Sequence, residues 1–248
     1  MRSTARLIAA VALGLPAFAQ AGPADYVNTP NVEYGEREID FKYGTEKLAN
    51  GEGRESAGSI GFGYGATTWW FTEAYVKAHK LPGDKTRYDA FEWENKFQLT
   101  EPNKYPVDLG FFIEVERPQE RAEGYEWAFG PLFQFDTGPI RWNVNPVLEK
   151  VTGSKEEGPH PLELGYQLQV AYRLSNGVDV GLQAFGDLGK WNEWAPHNEQ
   201  EHRIGPAIFG KVKLGEGRQV IRYNAAFLWG QTNATPQHTF RVQAEYEF

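Results

Sequence analysis

Chemistry in this chain would come from carboxylates, amines and imidazoles, because it contains no cysteine. The five histidines are His79, His160, His197, His202 and His238, and no HxH or HExxH spacing joins them around a metal. Serines beyond residue 22 are confined to Ser56, Ser59, Ser154 and Ser175, with no H-x-S pairing. If "GATT" turns between two strands, Glu55 lies opposite His79 on one face. Such a pair could serve as a base, but it has no placed nucleophile, and a cross-strand ion pair is the simpler reading. No catalytic residue, metal or cofactor is expected. Trp191 and Trp194 fall in "GKWNEWAPHNEQ", where packing against a rim is the simpler alternative to stacking on a sugar.

The carboxylates carry more information, since they recur at every second position. In "PVDLGFFIEVER", Val107, Leu109, Phe111, Ile113 and Val115 share one face, and Asp108, Glu114 and Glu116 share the other. In "YDAFEWENKFQL", Phe91, Trp93, Phe97 and Leu99 oppose Glu92, Glu94, Lys96 and Gln98. The polar face includes Glu36, Glu38, Asp40 and Glu73 on the earlier segments, and Glu126 and Asp136 further on; acids outnumber bases there. Later segments place Arg141, Arg173, Arg203, Lys211, Lys213, Arg222 and Arg241 on that face, beside a similar number of acids. With strands in chain order, one wall is acidic and the other mixed to basic. Across a narrow wet passage this field would orient a polar or zwitterionic solute and favour cations. Opposed charges closing a small interior is the competing reading.

Strict period-two alternation recurs through the chain, and no segment shows a useful 3.6 period. About twelve strands are predicted, near 33–43, 55–65, 69–79, 88–99, 107–117, 124–136, 139–149, 162–174, 177–188, 201–214, 219–230 and 238–248. Connections after odd-numbered strands read as long and polar. Those after even-numbered strands read as short, apart from an intermediate "TEPNKYP". Pro131, Pro146 and Pro206 fall inside strands, where a closed sheet has no free edge to hold them; bulges or a shortened strand are expected there.

The opening "MRSTARLIAAVALGLPAFAQA" has two arginines, an apolar run and A-x-A sites, which predicts a secretory signal peptide over 1–21 and one domain over 22–248. No run of 18 apolar residues follows it. A membrane-spanning form would therefore be a closed barrel, because lipid cannot satisfy free backbone donors. The net charge of −8 argues against a nucleic-acid partner. Trp70 and Trp142 would lie near the ends with short turns, and Trp127 and Trp229 near the opposite ends.

The chain ends "TFRVQAEYEF", with Phe240, Val242, Ala244, Tyr246 and Phe248 alternating against polar residues. This resembles the C-terminal signature of Gram-negative outer-membrane β-barrel proteins. The resemblance implies an all-β, up-and-down transmembrane barrel in the bacterial outer membrane. It also implies that Phe248 and Tyr246 are read by the outer-membrane assembly machinery. In size the chain is similar to small monomeric porins, such as oligogalacturonate-, sialic-acid- and nucleoside-specific channels. That similarity implies passive passage of a small hydrophilic solute, with outer-membrane lipids and lipopolysaccharide as surroundings. The alternatives are an outer-membrane enzyme acting on lipid or lipopolysaccharide, and a closed barrel with partner-binding outer loops.

Overall fold

The computed structural model describes residues 22–51, 53–174, 177–215 and 217–248. The predicted signal peptide over 1–21 lies outside them. The strands are β1 (Arg37–Lys47), β2 (Arg54–Gly65), β3 (Trp70–Lys80), β4 (Arg87–Gln98), β5 (Asp108–Pro118), β6 (Tyr125–Thr137), β7 (Ile140–Thr152), β8 (Glu163–Arg173), β9 (Val178–Lys190), β10 (Glu193–Trp194), β11 (Glu201–Lys213), β12 (Val220–Gly230) and β13 (His238–Glu247). β10 is a two-residue strand folded back on β9. The other twelve form one antiparallel meander, closed where β1 pairs with β13 from Glu38↔Glu247 to Lys47↔His238. Closure leaves no sheet edge among them.

Alternation sets the two faces. Ile39, Phe41 and Tyr43 on β1, and Ile60, Phe62 and Tyr64 on β2, are exposed, while Glu38, Asp40 and Lys42 between them are buried. A soluble barrel would do the opposite; this one presents an apolar belt outward and polar groups inward. Trp127 and Trp142 stand towards opposite ends of the belt with their indole N–H groups satisfied: Trp127 donates to Thr152 at 2.9 Å and Trp142 to Thr137 at 2.8 Å.

The three prolines cause no register shift. Pro131 and Pro146 face each other across β6 and β7, and the ladder simply lapses between Phe129↔Leu148 and Phe133↔Val144. Two residues without N–H groups thus share one gap. Pro206 likewise interrupts only the β11–β12 ladder, between Ile204↔Trp229 and Ala207↔Ala226, and stays in register with Leu182 on β9. The expected bulges and shortened strand are absent at these prolines because the missing donors cost hydrogen bonds and leave the residue count unchanged.

Two further expectations are corrected. The contrast in loop length is weaker than the sequence suggested but keeps its direction. Residues 48–53, 81–86 and 119–124 are shorter than expected, while 153–162 and 191–200 are long at the same end. At the other end 66–69 and 138–139 are short, and 99–107 is the exception. The strands extend into segments that read as loop. The first strand also starts at Arg37 rather than near residue 33, because 33–36 belongs to something else. Gly35 N–H donates to Gly65 O at 2.8 Å, and Gly65 N–H to Glu36 O at 2.9 Å. From that anchor, residues 22–32 run into the barrel interior.

Candidate functional site

The interior is built from the inward positions of the strands and from the inserted segment. Val32 N–H donates to Gln98 Oε1 at 2.8 Å. Higher up, Asn28 is buried, its N–H on Gln167 Oε1 at 3.1 Å and its carbonyl accepting from Asn145 Nδ2 at 2.9 Å. Val27 packs on an apolar patch of Phe185, Ala207, Ala226 and Leu228. The Tyr26 hydroxyl donates to Glu94, and its ring lies 3.2 Å beneath the Lys42 ammonium. Gly22 O accepts from Arg203 Nη1 at 3.4 Å.

Two wall glycines make room for this backbone. A Cβ at Gly44 would stand 1.8 Å from Pro23 O, and one at Gly110 would stand 2.8 Å from Pro30 Cβ. Neither position shows a residue type that sequence reasoning treats as chemical. An inserted segment of mixed small and polar residues has no periodic signature, so alternation could not reveal it.

The acidic wall lies on β1 and β3–β6. Glu38, Asp40, Glu73, Glu92, Glu94 and Asp108 are buried, and Glu114, Glu116 and Glu126 are half-buried. Cross-strand register puts Glu73, Glu94 and Glu114 in one row and Glu92, Glu116 and Glu126 in the next. Like charges directly opposed destabilise a sheet. Lys77 bridges Glu92 at 2.9 Å and also binds Glu116. Lys42 reaches Asp40 at 3.3 Å, and Tyr75 donates to Asp40 at 2.8 Å. Among the described residues no salt bridge reaches Glu73, Glu94 or Glu114. Glu36 stands just before β1 beside the inserted chain, where burial lifts its carboxyl above the usual value against the opposing pull of Lys96.

The opposite wall is less basic than its residue list implies. Only Arg203 and Arg241 of the seven basic candidates are buried. Arg203 Nη1 pairs with Glu46 Oε2 at 2.9 Å, and Arg241 Nη1 donates to Gln183 Oε1 at 2.5 Å. Arg173 and Arg141 gather on Asp136 at the lower rim, where Asp136 and Arg173 are exposed. Lys211 and Lys213 are exposed, and Arg222 pairs with Glu247. The middle of this wall carries neutral amides instead. Gln183 donates to Gln169 at 2.7 Å, Gln169 to Asn143 at 3.3 Å, and Asn143 to Gln134 at 3.1 Å. Sequence reasoning, searching for charge, passed over this chain of amides, although each member stands at an inward position of its strand.

Several large apolar side chains also point inward: Phe71, Phe112, Leu132, Phe185 and Leu228 are buried. The expectation that apolar residues face outward therefore holds for the belt and not for every position. Val27 of the inserted segment covers Phe185 and Leu228, whereas Phe112 and Leu132 cluster with Val147 and Ala128 of the wall itself.

Above Tyr26 a cavity of about 420 Å³ remains, lined by Lys42, Lys77, Glu92, Glu114, Glu116 and Glu126, and reaching loop residues such as Glu123 and His160. The predicted Glu55–His79 pairing does not form. Register sets Ala57 opposite His79 and Glu46 opposite Glu55, and His79 Nδ1 contacts Asp89 at 2.5 Å instead. Trp191 and Trp194 are exposed on the β9–β11 loop. At the terminus, the Phe248 and Tyr246 rings stack 5.4 Å apart, and Phe248 N–H donates to Arg37 O at 2.8 Å.

No protein-family model matches the chain, and no curated protein sequence does. Solved structures do. A COG4313 outer membrane channel from Pseudomonas putida F1 is 11% identical, covers 90% of this chain and 99% of its own, and superposes with a TM-score of 0.63. The translocator domain of the autotransporter NalP from Neisseria meningitidis is 14% identical over 87% of this chain and 89% of its own, with a TM-score of 0.46. The outer membrane protein Omp33 of Acinetobacter baumannii is 9% identical over 88% and 100%, with a TM-score of 0.42. The chain has the fold of Gram-negative outer-membrane β-barrels, channels among them.

Proposed function

We propose that this protein is a bacterial outer-membrane channel for passive passage of a small hydrophilic solute, closed by residues 22–32 in the state described. One observation carries the reading: a chain segment separate from the strands occupies the interior below the cavity, held largely by hydrogen bonds to wall amides and carboxylates. Water can replace such bonds at small net cost, about 0.5–1.5 kcal/mol each. A wall-filled barrel would have no removable part. With the segment withdrawn, the path would run between the acidic rows and the amide chain, and would favour cationic or zwitterionic solutes.

In this reading the apolar belt contacts membrane lipid and lipopolysaccharide, and Phe248 with Tyr246 presents the assembly signal. The enzyme alternative loses its only candidate, since Glu55 and His79 are not opposed. The test is planar-bilayer recording of the purified protein and of a variant lacking residues 22–33. Stepwise current that is rare in the full chain and frequent in the shortened one supports a plugged channel. Silence from both, with the shortened barrel folded, overturns it and leaves a closed barrel whose loops bind a partner.

A further inference from the structure

We infer that Glu92, Glu94 and Glu114 form a binding site for a hard divalent cation, of the calcium or magnesium type, between the barrel wall and the inserted segment. This goes beyond the channel reading and does not depend on it. One carboxylate oxygen from each of the three converges, with all three atoms within 4.8 Å of one another. Oxygen ligands from several carboxylates are what calcium and magnesium select.

Convergence alone would be weak. The second observation is the state of Glu94. It is 1% exposed; one oxygen accepts from the Tyr26 hydroxyl, and the other, Oε1, has no hydrogen-bond partner among the described residues. A buried carboxylate oxygen is rarely left unpaired. The local charges point the same way. Glu94 sits between Glu73 and Glu114 in register, and no salt bridge among the described residues reaches this row. Lys77 is engaged by Glu92 and Glu116, while Lys42 and Lys96 also stand within electrostatic reach of the row without forming a salt bridge to it. The cavity gives access, since Glu92 and Glu114 both line it. A divalent ion at this point gives the unpaired Glu94 oxygen a partner, and Tyr26 places it against the inserted segment.

The test uses full-length protein in detergent micelles with terbium as the probe, read by aromatic-sensitised emission, and with calcium as competitor. Expected is saturable binding of one terbium per barrel, displaced by calcium. Affinity should weaken about tenfold or more in Glu114→Gln through loss of one charged ligand, stay unchanged in Glu120→Gln, and tighten in Lys77→Gln, where Glu92 loses its competing ammonium. Absence of saturable binding in the wild-type protein would overturn the site without any variant. So would equal affinity in wild type and folded Glu114→Gln, which would assign the terbium to surface carboxylates. Silent bilayers alongside calcium-displaceable terbium would reject the channel and keep the cation site.

Discussion

The Asn145 side-chain amide donates to the Asn28 main-chain carbonyl at 2.9 Å, so a residue of β7 holds the middle of the inserted segment. Asn28 is buried with Asn145, and Gln167 bonds to both. Asn28 and Asn145 are buried and Gln167 is half-buried, so this tie between wall and segment is largely withdrawn from water.

Loosening the tie should open the barrel. Asn145→Leu removes the donor and leaves the Asn28 carbonyl unpaired in a dry site, at a cost of about 1–3 kcal/mol. Bilayer recordings of this variant should show more frequent stepwise openings than the full chain, at unchanged amplitude. Identical open probability would mean that the segment does not control the path.

Crowding the segment should act in the same direction by a different route. Gly44→Val puts side-chain atoms where Pro23 O now sits, 1.8 Å from an ideal Cβ. The wall is pinned by β1 ladders on both sides, so the segment must yield. Limited proteolysis of the folded variant should release fragments cut within 22–33 that the parent protein resists.

Selectivity should follow the acidic rows. Neutralising Glu92, Glu94, Glu114 and Glu116 to glutamine should weaken cation preference, measured as reversal potential across a salt gradient in the variant lacking residues 22–33. Unchanged reversal potential would place those side chains away from the conducting path.

Breaking the buried pair should cost stability. Arg203→Met leaves Glu46, which also accepts from Thr239 and neighbours Glu55, without its guanidinium. Removing one partner of a buried pair costs about 3–5 kcal/mol. Unfolding in urea, followed by tryptophan emission in micelles, should show a clearly lower midpoint. A double change to Arg203→Met with Glu46→Leu should recover most of it.

Truncating the terminus should affect assembly more than stability. Removal of Phe248 deletes one backbone bond to Arg37 and one stacked ring beside Tyr246. The amount of barrel recovered from the outer membrane should fall, while refolding in micelles proceeds at a similar urea midpoint. Equal recovery would remove Phe248 from the assembly signal.

The sequence by itself determined the barrel. Side chains alternate across a strand with a period of two, so Ile39, Phe41 and Tyr43 against Glu38, Asp40 and Lys42 already fix which face meets hydrocarbon. The same rule located the acidic side chains to within a strand face, and it placed Trp127 and Trp142 near opposite ends. It could not decide what those side chains meet. That Glu94 lies between Glu73 and Glu114, that Glu46 rather than His79 stands across from Glu55, and that Pro131 faces Pro146 are all facts of register, set by turns and ladder pairing over the whole sheet. The inserted segment was invisible for a further reason. Tyr26, Asn28 and Val32 bond to residues more than sixty positions away, Glu94, Asn145, Gln167 and Gln98, and nothing local in a non-periodic stretch records a partner that only closure of the barrel brings within reach.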